Sequence, residues 1–202
     1  MMNFLDPCPL DERPNFASIQ EMWQNINIRQ TPLQSSKVQA IVAAFNHTYD
    51  NGGARFTRFT ITYHPTLHWF AVRNRWDDLR FFDTFFRAII VRATLPEFTI
   101  AHDYSLTTAF KASTLFTLDG ELAQALFQGG AYTRFTGTAS EAKELGRAFV
   151  QALFGDRYDE VVVYHSNVAW AAWFRDIAWD TTWVMIDQRH LTIDVLCITD
   201  TD

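Results

Sequence analysis

Apolar residues recur along this chain at two spacings, and the alternation between them sets out the expected elements. Ile19, Met22, Trp23 and Ile26 fall at the helical period behind a possible cap at Asn15 or Ser18, inside a Pro-containing N-terminal arm covering residues 1–32. Ser35 and Ser36 can cap a second helix through residues 37–49, with Val38, Ile41, Val42 and Phe45 on one face and Asn51-Gly52-Gly53 as its stop. The period then shortens to two. Thr57, Phe59, Ile61 and Tyr63 alternate with Phe56, Arg58, Thr60 and Thr62, predicting a strand that Pro65 ends and residues 67–76 follow as its hairpin partner.

A helix from about Leu79 to Arg92, capped by Asp77 or Asp78, is expected next. Its Leu79, Phe81, Phe82, Phe85, Phe86, Ile89 and Ile90 cover about half the helical circumference, which implies near-complete burial. Residues 98–101 and 110–118 have strand-like content, although the second stretch also suits a helix. A short helix after Asp119-Gly120 ends at Gly129-Gly130, residues 131–137 read as a strand, and Ser140-Glu141 opens a helix that Gly155 caps. Residues 160–166 carry the valine run of a buried strand. Residues 179–187 and 191–199 alternate around Gln188-Arg189-His190 as a C-terminal β-hairpin. Helices mixed with hairpins, without a βαβ rhythm, predict an α+β fold, a single domain over residues 1–202 with helices packed on a mainly antiparallel sheet. Thr-Arg-Phe-Thr occurs at 57–60 and again at 133–136, but the flanking residues do not support a duplication.

Composition narrows the class. A chain of 202 residues that is 48% hydrophobic has the size and content for one sizeable core. No apolar run reaches the roughly 18 residues of a membrane span. The first residues lack the basic start and apolar core of a signal peptide, so the cytoplasm is the expected compartment. Two cysteines, Cys8 and Cys197, make neither a disulfide framework nor a metal cluster and are expected to be reduced.

Charge changes the picture more. The net −6 is concentrated from Asp176 onward, where six aspartates face Arg189 alone for a local −5, while the segment from Arg55 to Arg92 carries a local +4. An overall acidic chain argues against a general electrostatic grip on nucleic acid. The Trp/Asp-rich module at residues 168–202 holds four of the seven tryptophans together with those six aspartates, which predicts an apolar face turned inward and an acidic one outward.

Candidate chemistry is sparse. Phosphate loops, nucleophile elbows, H-E-x-x-H and paired C-x-x-C are all missing, and no cofactor is implied. His64 and His68 have the four-residue spacing of zinc ligands on a helix, but Pro65 interrupts them and strands would hold them roughly 13 Å apart; no metal is expected. His102-Asp103 has the form of an oriented imidazole in a loop. His165, at the end of the valine strand, is the best catalytic histidine; Asp176 and Asp180 stand four apart, and Asp180 and Asp194 can set two carboxylates against the wall of Trp170 or Trp173.

Two functions follow as expectations. The first is a non-catalytic cytoplasmic protein-binding domain that uses Trp170, Trp173, Asp176, Asp180 and Asp194, neutralising a basic partner as immunity proteins or antitoxins do, by analogy of gross properties. The second is a hydrolase using Asp176, Asp180, Asp194 and His165. Exposed tryptophans would also permit a homo-oligomer.

Overall fold

The computed structural model describes residues 2–202. Its centre is a six-stranded sheet built from β1 (Ile28–Gln30), β2 (Gly53–Ile61), β3 (Lys111–Thr114), β4 (Val161–Ser166), β5 (Thr181–Asp187) and β6 (Thr192–Thr199), in the order β1-β2-β6-β5-β4-β3. Every neighbouring pair is antiparallel. Helices pack on this sheet as the α+β pattern predicts, and β5 and β6 close the chain as a hairpin.

Helices cover both faces. On one lie α1 (Phe16–Asn25), α3 (Pro65–Ala71), α4 (Phe81–Arg87) and α5 (Ile89–Thr94); on the other lie α2 (Ser36–Thr48), α6 (Leu115–Gln128) and α7 (Ala139–Phe154). The sheet therefore separates two hydrophobic cores. Along β6, Ile193, Val195 and Cys197 enter the first core and Leu196 and Ile198 the second, as the two-residue period requires. A strand covered on both sides has no solvent face, and β6 is buried along its whole length.

Local capping explains most helix starts. Asn15 Oδ1 accepts from Ser18 N at 3.0 Å, Ser35 caps α2, and α7 begins with a full capping box in which Thr138 and Glu141 bond each other's backbone. That cap stands two residues before the expected Ser140. Gly146 lets α7 lie against α6, since a Cβ there would sit 2.3 Å from the Asp119 carbonyl oxygen.

Several expected elements take another form. Residues 67–76 are not a hairpin partner: His64 caps α3, its Nδ1 accepting from Thr66 N at 3.2 Å, and Pro65 opens the helix where its missing N–H costs nothing. The helix expected over 79–92 is three pieces, a 3-10 turn at Trp76–Leu79, then α4, then α5, divided at Arg80 with φ 49° and at extended Ala88. Residues 98–101 form no strand, residues 111–114 are β3, and α6 starts at Leu115, before the Gly120 that was expected to precede it. Residues 131–137 are a loop. Among the described residues, no helix is long and apolar enough to cross a membrane.

Candidate functional site

The C-terminal module is packed inward far more completely than its charge predicts. Of its six aspartates only Asp176 and Asp202 are exposed; Asp180, Asp187, Asp194 and Asp200 are all buried. The expected acidic outer face is corrected accordingly. The reason is the second helix layer, which covers the strand face that an isolated hairpin would show to water.

Each buried carboxylate has a structural task. Asp194, fully buried, takes a bidentate pair from Arg58 at 2.7 and 2.6 Å across the β2–β6 register. Burial raises its carboxyl above the ordinary value, and the Arg58 guanidinium offsets part of that rise. Asp187 accepts from Arg189 N and His190 N, both at 3.0 Å, and pairs with Arg157 at 2.6 Å, which ties the hairpin turn to the end of α7. Burial would raise its carboxyl, but the bonds from His190 and Arg157 outweigh it and hold the group low. Asp180 accepts from Arg175 N, Ile177 N and Thr199 Oγ1. Asp200 holds two loops through Asn51 N and Ala131 N.

The four residues of the hydrolase expectation do not meet. Asp180 bonds Thr199, which lies five residues beyond Asp194 and so about 17 Å along the strand. His165 stands on β4, two strands and about 10 Å across from β6. Asp176 is in a surface loop with φ 60°. His165 lies between Lys111 and Trp183; burial lowers its imidazole value, the Glu121 carboxylate opposes this, and Lys111 adds to it. Glu121 is itself held by Ser113, Thr117 and Trp183.

The expected aromatic walls also belong to the core. Trp170 is buried, its Nε1 donating to Thr182 Oγ1 at 2.9 Å and its ring 4.5 Å from Phe86. Trp173, partly buried, packs tilted against Phe98 with ring centroids 4.7 Å apart, and the Arg55 guanidinium lies 5.6 Å from its ring. Burial pushes the Cys197 thiol up to about 12, and both cysteines are free. His68 is buried with Nδ1 2.9 Å from the Tyr63 hydroxyl, and among the described residues no group of three or more metal-ligating side chains is assembled.

Open apolar surface lies at the other end of the chain. A groove of about 1020 Å³ runs between α1 and the α4–α5 segment. One wall is α1, which supplies Phe16, Ile19 and Trp23; the opposite wall is Ala88, Ile89, Ile90 and Ala93. Trp23 is fixed by its Nε1 bond to Leu79 O at 3.2 Å and by packing 5.9 Å from Phe81. Breaking the helix at Ala88 turns the next residues outward, so Ile89 is 87% exposed, and Phe16 across the groove is 73% exposed. The expected burial of Ile89 and Ile90 is corrected by that break.

A polar lip surrounds this floor. Asp83 anchors the loop after α5, accepting from Leu106 N at 3.0 Å and Thr107 Oγ1 at 3.1 Å, while Arg87 donates to the Ala101 and Tyr104 carbonyls. That loop sets His102 and Asp103 on the groove's edge. Ser105 Oγ also donates to Asp83, at 3.4 Å. The seven-residue apolar arc of 79–92 was the available signal for this site: it is too wide for a helix packed on one side only.

No protein-family model matches this chain, and no curated protein is similar to it in sequence.

Proposed function

We propose that this protein is a non-catalytic protein-binding domain of the cytoplasm, and that its binding surface is the α1/α4–α5 groove, where a partner docks an amphipathic helix. The observation that carries this reading is the pairing of a groove of about 1020 Å³ with large apolar side chains left in solvent at Phe16 and Ile89. Two turns of α-helix, 10–12 Å across, occupy about 1000 Å³. Recognition of a helix by its apolar face needs a groove with few polar groups, and in this groove Asp78, Arg80, Asp83 and Arg87 are held in ion pairs. Four of the six C-terminal aspartates, by contrast, are committed to internal bonds, which favours a working surface away from them. Two free thiols suit a reducing compartment.

Site-specific photocrosslinking in native cells tests the reading. A benzophenone side chain at position 16 or 89 is expected to trap one defined protein, whereas the same group at exposed position 37, on the opposite helix layer, traps none. Equal adducts at all three positions, or none at 16 and 89, would remove it.

A further inference from the structure

The groove does not end at α5. Beyond Ile89 and Ala93 lies a second hollow of about 310 Å³, lined by Arg92, Leu95, Phe98 and Thr99. Ile89 and Ala93 border both hollows, so they form a ridge between them. A ridge with a hollow on each side is the surface that fits between rows of side chains on a crossing helix.

Charge gives this surface a direction. Within the larger hollow, Asp83 pairs with Arg80 and Arg87, and Asp78 pairs with Arg13 and Arg75. Two charges bordering the hollows have no ion-pair partner among the described residues. They are Asp103 in the larger hollow and Arg92 in the smaller one, opposite in sign and on opposite sides of the ridge. The other titratable groups beside Asp103 are His102, Tyr104 and Arg87, which donates to the carbonyls of Ala101 and Tyr104.

We infer that the occupant is an amphipathic helix lying across α5, its apolar side chains straddling Ile89, with a basic residue at the end over Asp103 and an acidic residue at the end over Arg92. This rests on the protein-binding reading above and adds the partner's charge polarity to it. A small apolar molecule leaves both charges unanswered. A single-chain lipid carboxylate answers Arg92 alone. A helix of three to four turns, about 16–22 Å long, presents a charged residue at each end and an apolar stripe to fill the space between.

The test uses a displayed library of helical peptides with apolar residues at i, i+3, i+4 and i+7 and randomised charge at both ends, selected separately on the full-length protein and on its Arg92→Glu, Asp103→Lys and Ile89→Asp variants. Binders of the unmodified protein are expected to be acidic at one end and basic at the other. Arg92→Glu should invert the preference at the acidic end only, Asp103→Lys at the basic end only, and Ile89→Asp should weaken every binder by about tenfold or more. All three positions are exposed, so thermal melts of the variants should match the unmodified protein and exclude misfolding. Binders that require Ile89 but show no end preference overturn the polarity and leave the protein-binding groove standing. Failure to enrich any binder that depends on Ile89 overturns both.

Discussion

The β5–β6 hairpin and the α4–α5 segment have similar apolar content and opposite fates. In the hairpin, two helix layers close over a two-residue alternation, and even its aspartates are enclosed. In α4–α5 a single layer meets the sheet, so Phe81, Phe82, Phe85 and Phe86 are buried while Ile89 beyond the break at Ala88 is left in water. Apolar sequence is thus a demand for cover, and position in the fold decides how much is supplied. What remains uncovered on α5 is the apolar ridge between the two hollows.

The contrast breaks most severely at the buried ion pair. Arg58→Ala leaves the Asp194 carboxylate enclosed and uncompensated, which should cost about 3–5 kcal/mol of stability, read as the shift in a urea denaturation midpoint. A loss below about 1 kcal/mol would mean that water reaches Asp194 and that the second layer does not seal the hairpin. Next comes a matched pair of truncations. Ile193→Ala removes a side chain with no exposed surface and should cost about 2–5 kcal/mol, while Ile89→Ala, at 87% exposure, should stay within about 0.5 kcal/mol. Similar losses at the two sites would erase the distinction between covered and open.

Acid gives a smaller effect of defined sign. Burial lowers the imidazole values of His68, His165 and His64 below the ordinary 6.5. The folded protein then binds fewer protons than the unfolded chain, so this contribution is fully present above 6.5 and is lost as pH falls below it. Denaturation midpoints between about pH 5 and 8 should fall toward the acid side, and His68→Gln should flatten that slope, leaving the part due to the other two. The smallest expected change is in helix initiation. Thr138→Ala removes the side chain of a capping box and should cost about 1 kcal/mol, with no effect on either hollow.

Much of the secondary structure is legible in local pattern. The helices at 36–48 and 139–154 and the strands at 53–61, 161–166, 181–187 and 192–199 all lie where period and caps place them. Residues 65–71 misled because a seven-residue, largely apolar helix has too few turns to show its period, although His64-Pro65 is a legitimate helix start. The tetrapeptide Thr-Arg-Phe-Thr is the plainest case. At 57–60 it is a strand because β1 and β6 flank it, and at 133–136 the same four residues are a loop, with no neighbouring strand to complete their hydrogen bonds. The candidate site was half visible: Trp23, Ile89, Ile90, His102 and Asp103 all drew attention singly, but nothing local joined residues 16–28 to residues 78–105.

Read alone, the sequence determined the class of fold, most element positions, and the concentration of both tryptophan and negative charge in the last 35 residues. Periodicity and capping are properties of neighbours along the chain, and there they are reliable. Tertiary structure alone decided the strand order, the covering of the sheet on both faces, and with it the conversion of Asp180, Asp187 and Asp194 from an expected surface into internal anchors. Burial depends on what a distant segment lays over a side chain, and the helices that enclose Asp194 end 40 residues or more before it in the chain.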